Sequence, residues 1–242
     1  MKISKLMFAS ATLLCCGAAN ADILWQDLSL TYLKGSNYRV GDPDRQVYTL
    51  EHVAGTSWGD SFMFLDHLRS DNGNRENYGE WAPRFSLGKL SGNSMAFGMV
   101  KDVLIATQIE MSNFQTNYLY GVGFDLALPA FKYTQLNLYR RQNENLDDSW
   151  QATLVWGLPF EIGGQQFVYD GFIDWASASS AQSAHMNFTS QLKWALHPLL
   201  GIQSKLYLGV EYAYWLNKFG IQDSPGFRSD ESNLNLLVKW HF

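Results

Sequence analysis

Cysteine is almost missing. The 242-residue chain has two, Cys15 and Cys16, adjacent and near its start. Charge is sparse as well: 17% of residues are charged, against ~25% in an ordinary soluble protein. No basic cluster offsets the net charge of −5, so the chain carries no electrostatic footprint for nucleic acid. No internal repeat is visible. Six prolines and 20 glycines are ordinary numbers, which excludes collagen-like and proline-rich disordered classes. After residue 21 no apolar run is long enough for a membrane-spanning helix. Aromatic side chains are what the sequence has in plenty, with 9 Trp, 12 Tyr and 15 Phe.

The first residues read as a targeting signal. Lys2 and Lys5 precede an apolar run from Leu6 to about Ala18, and Ala19-Asn20-Ala21 follows as a small-x-small cleavage pattern. The expected division is a cleaved signal peptide over 1–21 and one mature domain over 22–242. Cleavage after Ala21 removes both cysteines, so thiol catalysis and disulfides drop out. The signal points to export from a bacterial cell.

Along the mature chain the hydrophobic period is two. Leu234, Leu236, Val238, Trp240 and Phe242 alternate with Asn233, Asn235, Leu237, Lys239 and His241. Leu206, Leu208, Val210, Tyr212 and Tyr214 repeat the pattern, as do Tyr118, Tyr120, Val122, Phe124 and Leu126. Successive strand side chains point to opposite faces, so each strand has one apolar and one more polar face. About twelve strands are expected: 25–34, 44–54, 60–68, 79–87, 102–112, 117–127, 131–140, 150–158, 166–176, 186–196, 204–215 and 231–242. Short breaks such as Gly157-Leu158-Pro159 and Gly163-Gly164 alternate with polar segments at 69–80, 140–149 and 216–230. Five of the six prolines are expected in connections, and Pro83 near the start of a strand.

These strands match the ~9–11 tilted residues that cross a bilayer. The predicted fold is therefore all-β: a transmembrane antiparallel β-barrel of about 12 strands, with short periplasmic turns and longer extracellular loops, in the bacterial outer membrane. Trp25, Trp150, Trp175, Trp194 and Trp240 are expected in the interfacial girdles, against lipid. The final Phe242 is the aromatic end that barrel-insertion machinery would read. A secreted β-sandwich is the competing fold; its strands average only ~5–6 residues.

If the apolar face meets lipid, strand parity assigns the lumen. It receives Thr49 and Glu51, Arg84 and Ser86, Gln108 and Glu110, and Gln135, Asn137 and Tyr139. Asp170, Phe172 and Asp174 follow, then Asn187 to Lys193 at odd positions, Tyr207, Glu211, Asn233, Asn235 and Lys239. Such a lining suits a neutral, hydrogen-bonding solute with a flat face, because rings stack and carboxylates accept from hydroxyls.

A resemblance emerges at residues 82–98. Ala82-Pro83-Arg84-Phe85-Ser86-Leu87, then Leu90-Ser91 and Met95-Ala96-Phe97-Gly98, resembles the Tsx/OmpK family of outer-membrane channels. Thr49-Leu50-Glu51 and Tyr169-Asp170-Gly171-Phe172-Ile173-Asp174-Trp175 agree with it in order and spacing. Met95-Ala96 stands where the family tends to have Leu-Ser, and Met99 follows Gly98 in place of Pro. The resemblance implies a twelve-stranded barrel passing nucleosides and deoxynucleosides by diffusion, with phage as a further partner of the surface loops. It marks Glu51, Arg84, Asp170 and Asp174 as binding residues. Parity alone adds Glu110, Phe172, Tyr207 and Glu211. Carboxylates are expected to hold ribose hydroxyls and rings to stack on the base, with Arg84 neutralising the carboxylates.

Other classes compete. A barrel hydrolase needs a Ser–His–acid arrangement, but His185 and Ser190 fall on opposite faces by parity, so no enzyme is expected. A plugged structural barrel and a general small-solute or cation pore are the remaining alternatives. No His-x-x-x-His pair or cysteine cluster exists, and Asp170 with Asp174 lacks a third ligand, so neither metal nor cofactor is expected.

Overall fold

The structure, a computed structural model, describes residues 22–242. The signal-peptide expectation for 1–21, with Cys15 and Cys16, lies outside the described residues. Twelve antiparallel strands close into one barrel, each hydrogen-bonded to its sequence neighbours, with β1 sealing against β12. They are β1 (Ile23–Gly35), β2 (Arg45–Thr56), β3 (Gly59–Ser70), β4 (Arg75–Ser86), β5 (Val100–Ser112) and β6 (Thr116–Leu126). Then come β7 (Tyr133–Gln142), β8 (Ser149–Ile162), β9 (Gln165–Ala176), β10 (His185–Ala195), β11 (Leu206–Leu216) and β12 (Glu231–His241). Two short helices, α1 (Leu87–Ser91) and α2 (His197–Leu200), lie in connections. Among the described residues no helix is long and apolar enough to cross a membrane.

Closure follows from register. Leu30 faces Trp240, Tyr32 faces Val238 and Lys34 faces Leu236 across the β1–β12 seam. The Phe242 amide donates to the Leu28 carbonyl at 2.9 Å, and its ring stacks on Trp240. A closed barrel leaves no strand with a free edge.

The packing is inverted relative to a soluble protein. Leu234 and Leu236 on β12 are 60% and 54% exposed, while Asn233 and Asn235 between them are each 1% exposed. Leu30, Leu50, Leu65, Ile105, Val122, Leu138 and Leu192 are likewise exposed. This apolar belt is the lipid-facing surface. Trp194 and Trp240 lie toward one rim and Trp150 and Trp175 toward the other, all on the outward face as expected of girdles. Trp25 departs from that expectation, because it shares the inward face of β1 with Asp27 and Ser29 and its ring lies over Gly55 of β2.

Several boundaries differ from expectation. One rim carries the tight turns 57–58 and 163–164, but also 87–99 with α1 and 196–205 with α2. The opposite rim carries 217–230, 36–44 and 177–184, but also the tight 71–74 and 113–115. The asymmetry of loop length is therefore partial. The polar run 69–80 is mostly strand. Its turn closes through Ser70 N–H to Asn74 O at 3.0 Å and an Asn72 side-chain cap on the Asn74 amide at 2.9 Å. β4 consequently begins at Arg75, and Pro83 sits near its end, not its start. There the β4–β5 ladder skips from Trp81–Ile109 to Arg84–Ala106, and the Thr107 hydroxyl donates to the Pro83 carbonyl at 2.8 Å. Pro159 falls inside β8, in the stretch that extends past the first residue of β7, where a missing donor is tolerated.

α1 is fixed by its own start. Ser86 caps the Lys89 amide at 2.9 Å and donates to Asp102, and Lys89 Nζ reaches the carbonyls of Thr56 and Gly59 at 2.8 and 3.0 Å. Those bonds lash α1 to the neighbouring turn and account for a long connection on that rim.

Candidate functional site in the barrel lumen

Inward side chains form three groups of charge. Arg84, 3% exposed at its side chain, extends from β4 near the rim that bears α1. Its Nε and Nη2 clamp Asp60 of β3 at 2.9 and 2.6 Å. Nη2 also reaches Asp125 of β6 at 2.9 Å, and Nη1 reaches Asn137 Oδ1 of β7 at 3.4 Å. Arg84 therefore serves Asp60 and Asp125; the expectation that it neutralises the predicted carboxylates is not what the geometry shows.

The second group holds Glu51 and Asp170. Lys239 Nζ donates to Glu51 at 2.7 Å and Lys193 Nζ to Asp170 at 2.6 Å. Tyr207 lies beyond them, its ring edge-on to His197 and His241 at 5.8 and 5.5 Å. His241 Nδ1 is 2.5 Å from Asp27.

The third group lies toward the opposite rim. Arg141 Nη1 and Nη2 each reach a Glu110 oxygen at 2.5 Å, Nη1 also contacts Gln151 at 2.7 Å, and Nε contacts Asn143 at 2.8 Å. Such a paired fork is the strong form of carboxylate recognition. Arg141 was missed because the polar run 140–149 reads as loop, whereas β7 continues to Gln142. Its odd parity with Asn137 and Tyr139 was the available signal.

Between these groups stand four inward carboxylates held by neutral donors. Thr49 donates to Asp66 at 2.5 Å, and Thr153 to Asp174 at 2.5 Å. Tyr78 and Gln108 donate to Glu80 at 2.5 and 2.9 Å. Gln191 and Asn235 donate to Glu211 at 2.8 and 3.0 Å. Among the described residues none of the four has a cation within 4 Å, and one oxygen each of Asp66 and Asp174 accepts no hydrogen bond. Asp66 and Glu80 escaped the sequence reading because both faces of β3 are mixed and Glu80 falls at a turn-rich strand start.

Rings line the same space. Phe172 is half-buried on β9 between Asp170 and Asp174, opposite Val155 of β8 and Thr189 of β10. Phe62, Phe64 and Tyr78 make a second row, with centroids 5.9 and 5.8 Å apart. Tyr133 lies over Gly157, where a Cβ would collide with its ring. All eight predicted residues thus reach the interior face, but they are spread over separate groups: Glu51 with Asp170, Glu110 with Arg141, and Arg84 apart.

The mouth near 217–230 is partly covered. Tyr38, from loop 36–44, packs with Leu33, Val47 and Leu237, three inward residues. Lys218 pairs with Glu231 at 2.5 Å and sits over the rings of Tyr38, Trp215 and Phe219 at 5.4–5.6 Å. Burial lowers the Lys218 ammonium below its ordinary range and raises the Tyr38 phenol above its own.

A wall that shows lipid its leucines and keeps its ion pairs within belongs to an outer-membrane β-barrel channel. Solved structures agree on the fold: the KdgM porin aligns with TM-score 0.53 and 8% identity, covering 89% of this chain and 99% of its own. Residues 21–241 match the family described as Nucleoside-specific channel-forming protein, Tsx, and the chain belongs to that family. Among curated relatives, "Outer membrane protein OmpK" of Vibrio parahaemolyticus is 27% identical over 261 residues, covering 100% of this chain and 98% of the relative. "Nucleoside-specific channel-forming protein Tsx" of Salmonella typhimurium is 26% identical over 155 residues, covering 52% of this chain and 54% of the relative. The family is one of channel-forming proteins.

Proposed function

We propose that this channel passes nucleosides and deoxynucleosides by diffusion along the lumen. The observation that carries the proposal is the Asp170–Phe172–Asp174 face of β9. It sets a half-buried ring between a lysine-paired carboxylate and one with an oxygen free to accept. A base can stack on Phe172 while ribose hydroxyls donate to Asp174. Asp66, beside the Phe62–Phe64–Tyr78 row, repeats the combination. The family description and the name of the Salmonella typhimurium relative support the same solute. Glu51, Glu110, Glu211, Arg84 and Tyr207 act in this reading as the charged and aromatic frame around the path. Phe242, stacked on Trp240 and exposed, is the aromatic end assigned to the insertion machinery.

The test is single-channel current through the protein in planar bilayers, titrated with adenosine, thymidine and glucose. Nucleosides are expected to block at concentrations where glucose does nothing. Phe172→Ala and Asp174→Asn are each expected to weaken the block roughly tenfold, the equivalent of ~1.4 kcal/mol. Unchanged block in both variants removes this site. A second reading, a plugged structural barrel, draws on Tyr38 and Lys218 covering part of one mouth; absence of any conductance favours it.

A further inference from the structure

Three loops on the rim opposite α1 border a solvent-open cleft of about 600 Å³. Its walls come from 143–148, 177–184 and 217–230, outside the strand ladder. Small-ligand sites span about 300–1,000 Å³, so the space admits a di- or trisaccharide. The lining residues are themselves neutral, with Asp147 engaged by Ser180 and Lys218 by Glu231 at their backs, in a chain whose lumen is crowded with carboxylates. It offers hydroxyl and amide groups from Ser180, Gln182 and Gln222, with Leu146 and one aromatic ring, Phe219.

Phe219 is the unusual member. It holds φ 61° and ψ 22°, left-handed backbone that a bulky side chain rarely adopts. Asn217 before it and Gly220 after it are also left-handed, at φ 49° and 75°. The strain is maintained by ties between loops. Gln182 Nε2 donates to the Phe219 carbonyl at 3.2 Å, the Ser183 amide to the Gly220 carbonyl at 2.9 Å, and Asn217 Nδ2 to the Ala184 carbonyl at 2.9 Å. Ser180 donates to Asp147 of the third loop. The result is a half-exposed ring, backed by Trp215 at 5.5 Å, aimed from a tied wall. The Ser179 hydroxyl is buried and has no hydrogen-bond partner among the described residues, which buried polar groups rarely tolerate.

We propose that this cleft is a second binding site, outside the lumen, for a neutral oligosaccharide. One C–H face of a hexose would lie on Phe219, and its hydroxyls would exchange hydrogen bonds with the serine and glutamine side chains. A charge-free lining disfavours phosphorylated or acidic ligands, which need a cation or a helix end to replace their hydration. The sugar can be free in solution or borne by a surface glycolipid.

Saturation-transfer NMR on the full-length protein in lipid nanodiscs tests this, with maltotriose and a neutral outer-core hexose oligosaccharide of lipopolysaccharide, free of Kdo and phosphate, as probes. Phe219→Gly removes the ring while keeping a residue at home in left-handed backbone, so the barrel is expected to melt as before. Ala181→Trp fills the cleft and leaves the loop ties alone, which keeps the test decisive if Phe219→Gly misfolds. Binding of either sugar that falls about tenfold or more in the variants, with nucleoside block of current unchanged, supports the site. Maltotriose binding identifies a free sugar, and core-only binding a glycolipid. No binding of either probe, equal binding by the variants, or displacement of sugar by adenosine overturns it.

Discussion

The Arg84 guanidinium holds carboxylates from two other strands, Asp60 bidentately and Asp125 through one nitrogen. Its side chain is 3% exposed and theirs are 24% and 30%. Removing one partner of a buried pair leaves charge without compensation, a loss of about 3–5 kcal/mol. Arg84→Ala is therefore expected to lower unfolding stability in lipid by that order. Arg84→Lys should recover only part, because an ammonium cannot reproduce the planar fork. Lys34 pairs with Asp71 at 3.3 Å with side chains 35% and 58% exposed, and Lys34→Ala should cost about 0–1 kcal/mol. Urea unfolding of both variants checks the ranking. Equal losses would show that Arg84 carries no structural share.

At the scale of elements, the loops have their own chemistry. Asp42 accepts from the Asp44 and Asn72 amides at 3.0 and 2.7 Å, tying loop 36–44 to turn 71–74. Asp223 accepts from the Asp230 and Ser229 amides at 3.0 and 2.8 Å, closing loop 217–230 on itself. Those backbone donors, first Asp44 for Asp42 and first Asp230 for Asp223, hold both carboxyls below the ordinary 3.8. A depressed folded value means the stabilisation is complete above 3.8 and is lost as pH falls through the folded value. Acid should therefore loosen these two loops while the hydrogen-bonded wall persists. Hydrogen exchange as pH is lowered below 3.8 should show protection lost at 36–44 and 217–230 first, and Asp42→Asn with Asp223→Asn should blunt that pH dependence. Uniform loss along the chain would refute it. The strands were legible because lipid on one side and water on the other impose a strict alternation; β11 and β12 state it residue by residue. Pairing that continues beyond the apolar belt was not. Arg141 and the 75–78 segment carry polar residues on both faces, so nothing but the ladder marks them as strand. Tyr38 folding inward and Lys218 finding three rings depend on contacts between loops far apart in sequence, which no local pattern encodes.

For the whole molecule, the inward cations are already committed. Arg84 is held by Asp60 and Asp125, Arg141 by Glu110, Lys193 by Asp170 and Lys239 by Glu51. Arg45 spends its guanidinium on the Asp42 and Val40 carbonyls and the Tyr38 ring, and Lys218 on Glu231. Asp66, Glu80, Asp174 and Glu211 have hydroxyl and amide partners only. Neutral donors stabilise a carboxylate without cancelling its charge, so the path through the barrel has a negative bias wherever these groups are ionised. Lumenal acidic side chains select cations, and low-dielectric walls focus their field. The channel should therefore prefer potassium to chloride several-fold. Reversal potentials under a steep KCl gradient at pH 8 measure the preference. Glu80→Gln and Asp174→Asn together should reduce it, whereas Lys34→Ala, outside the inward set, should not. A reversal potential of zero, or one of anion-selective sign, would mean that the paired cations govern the field.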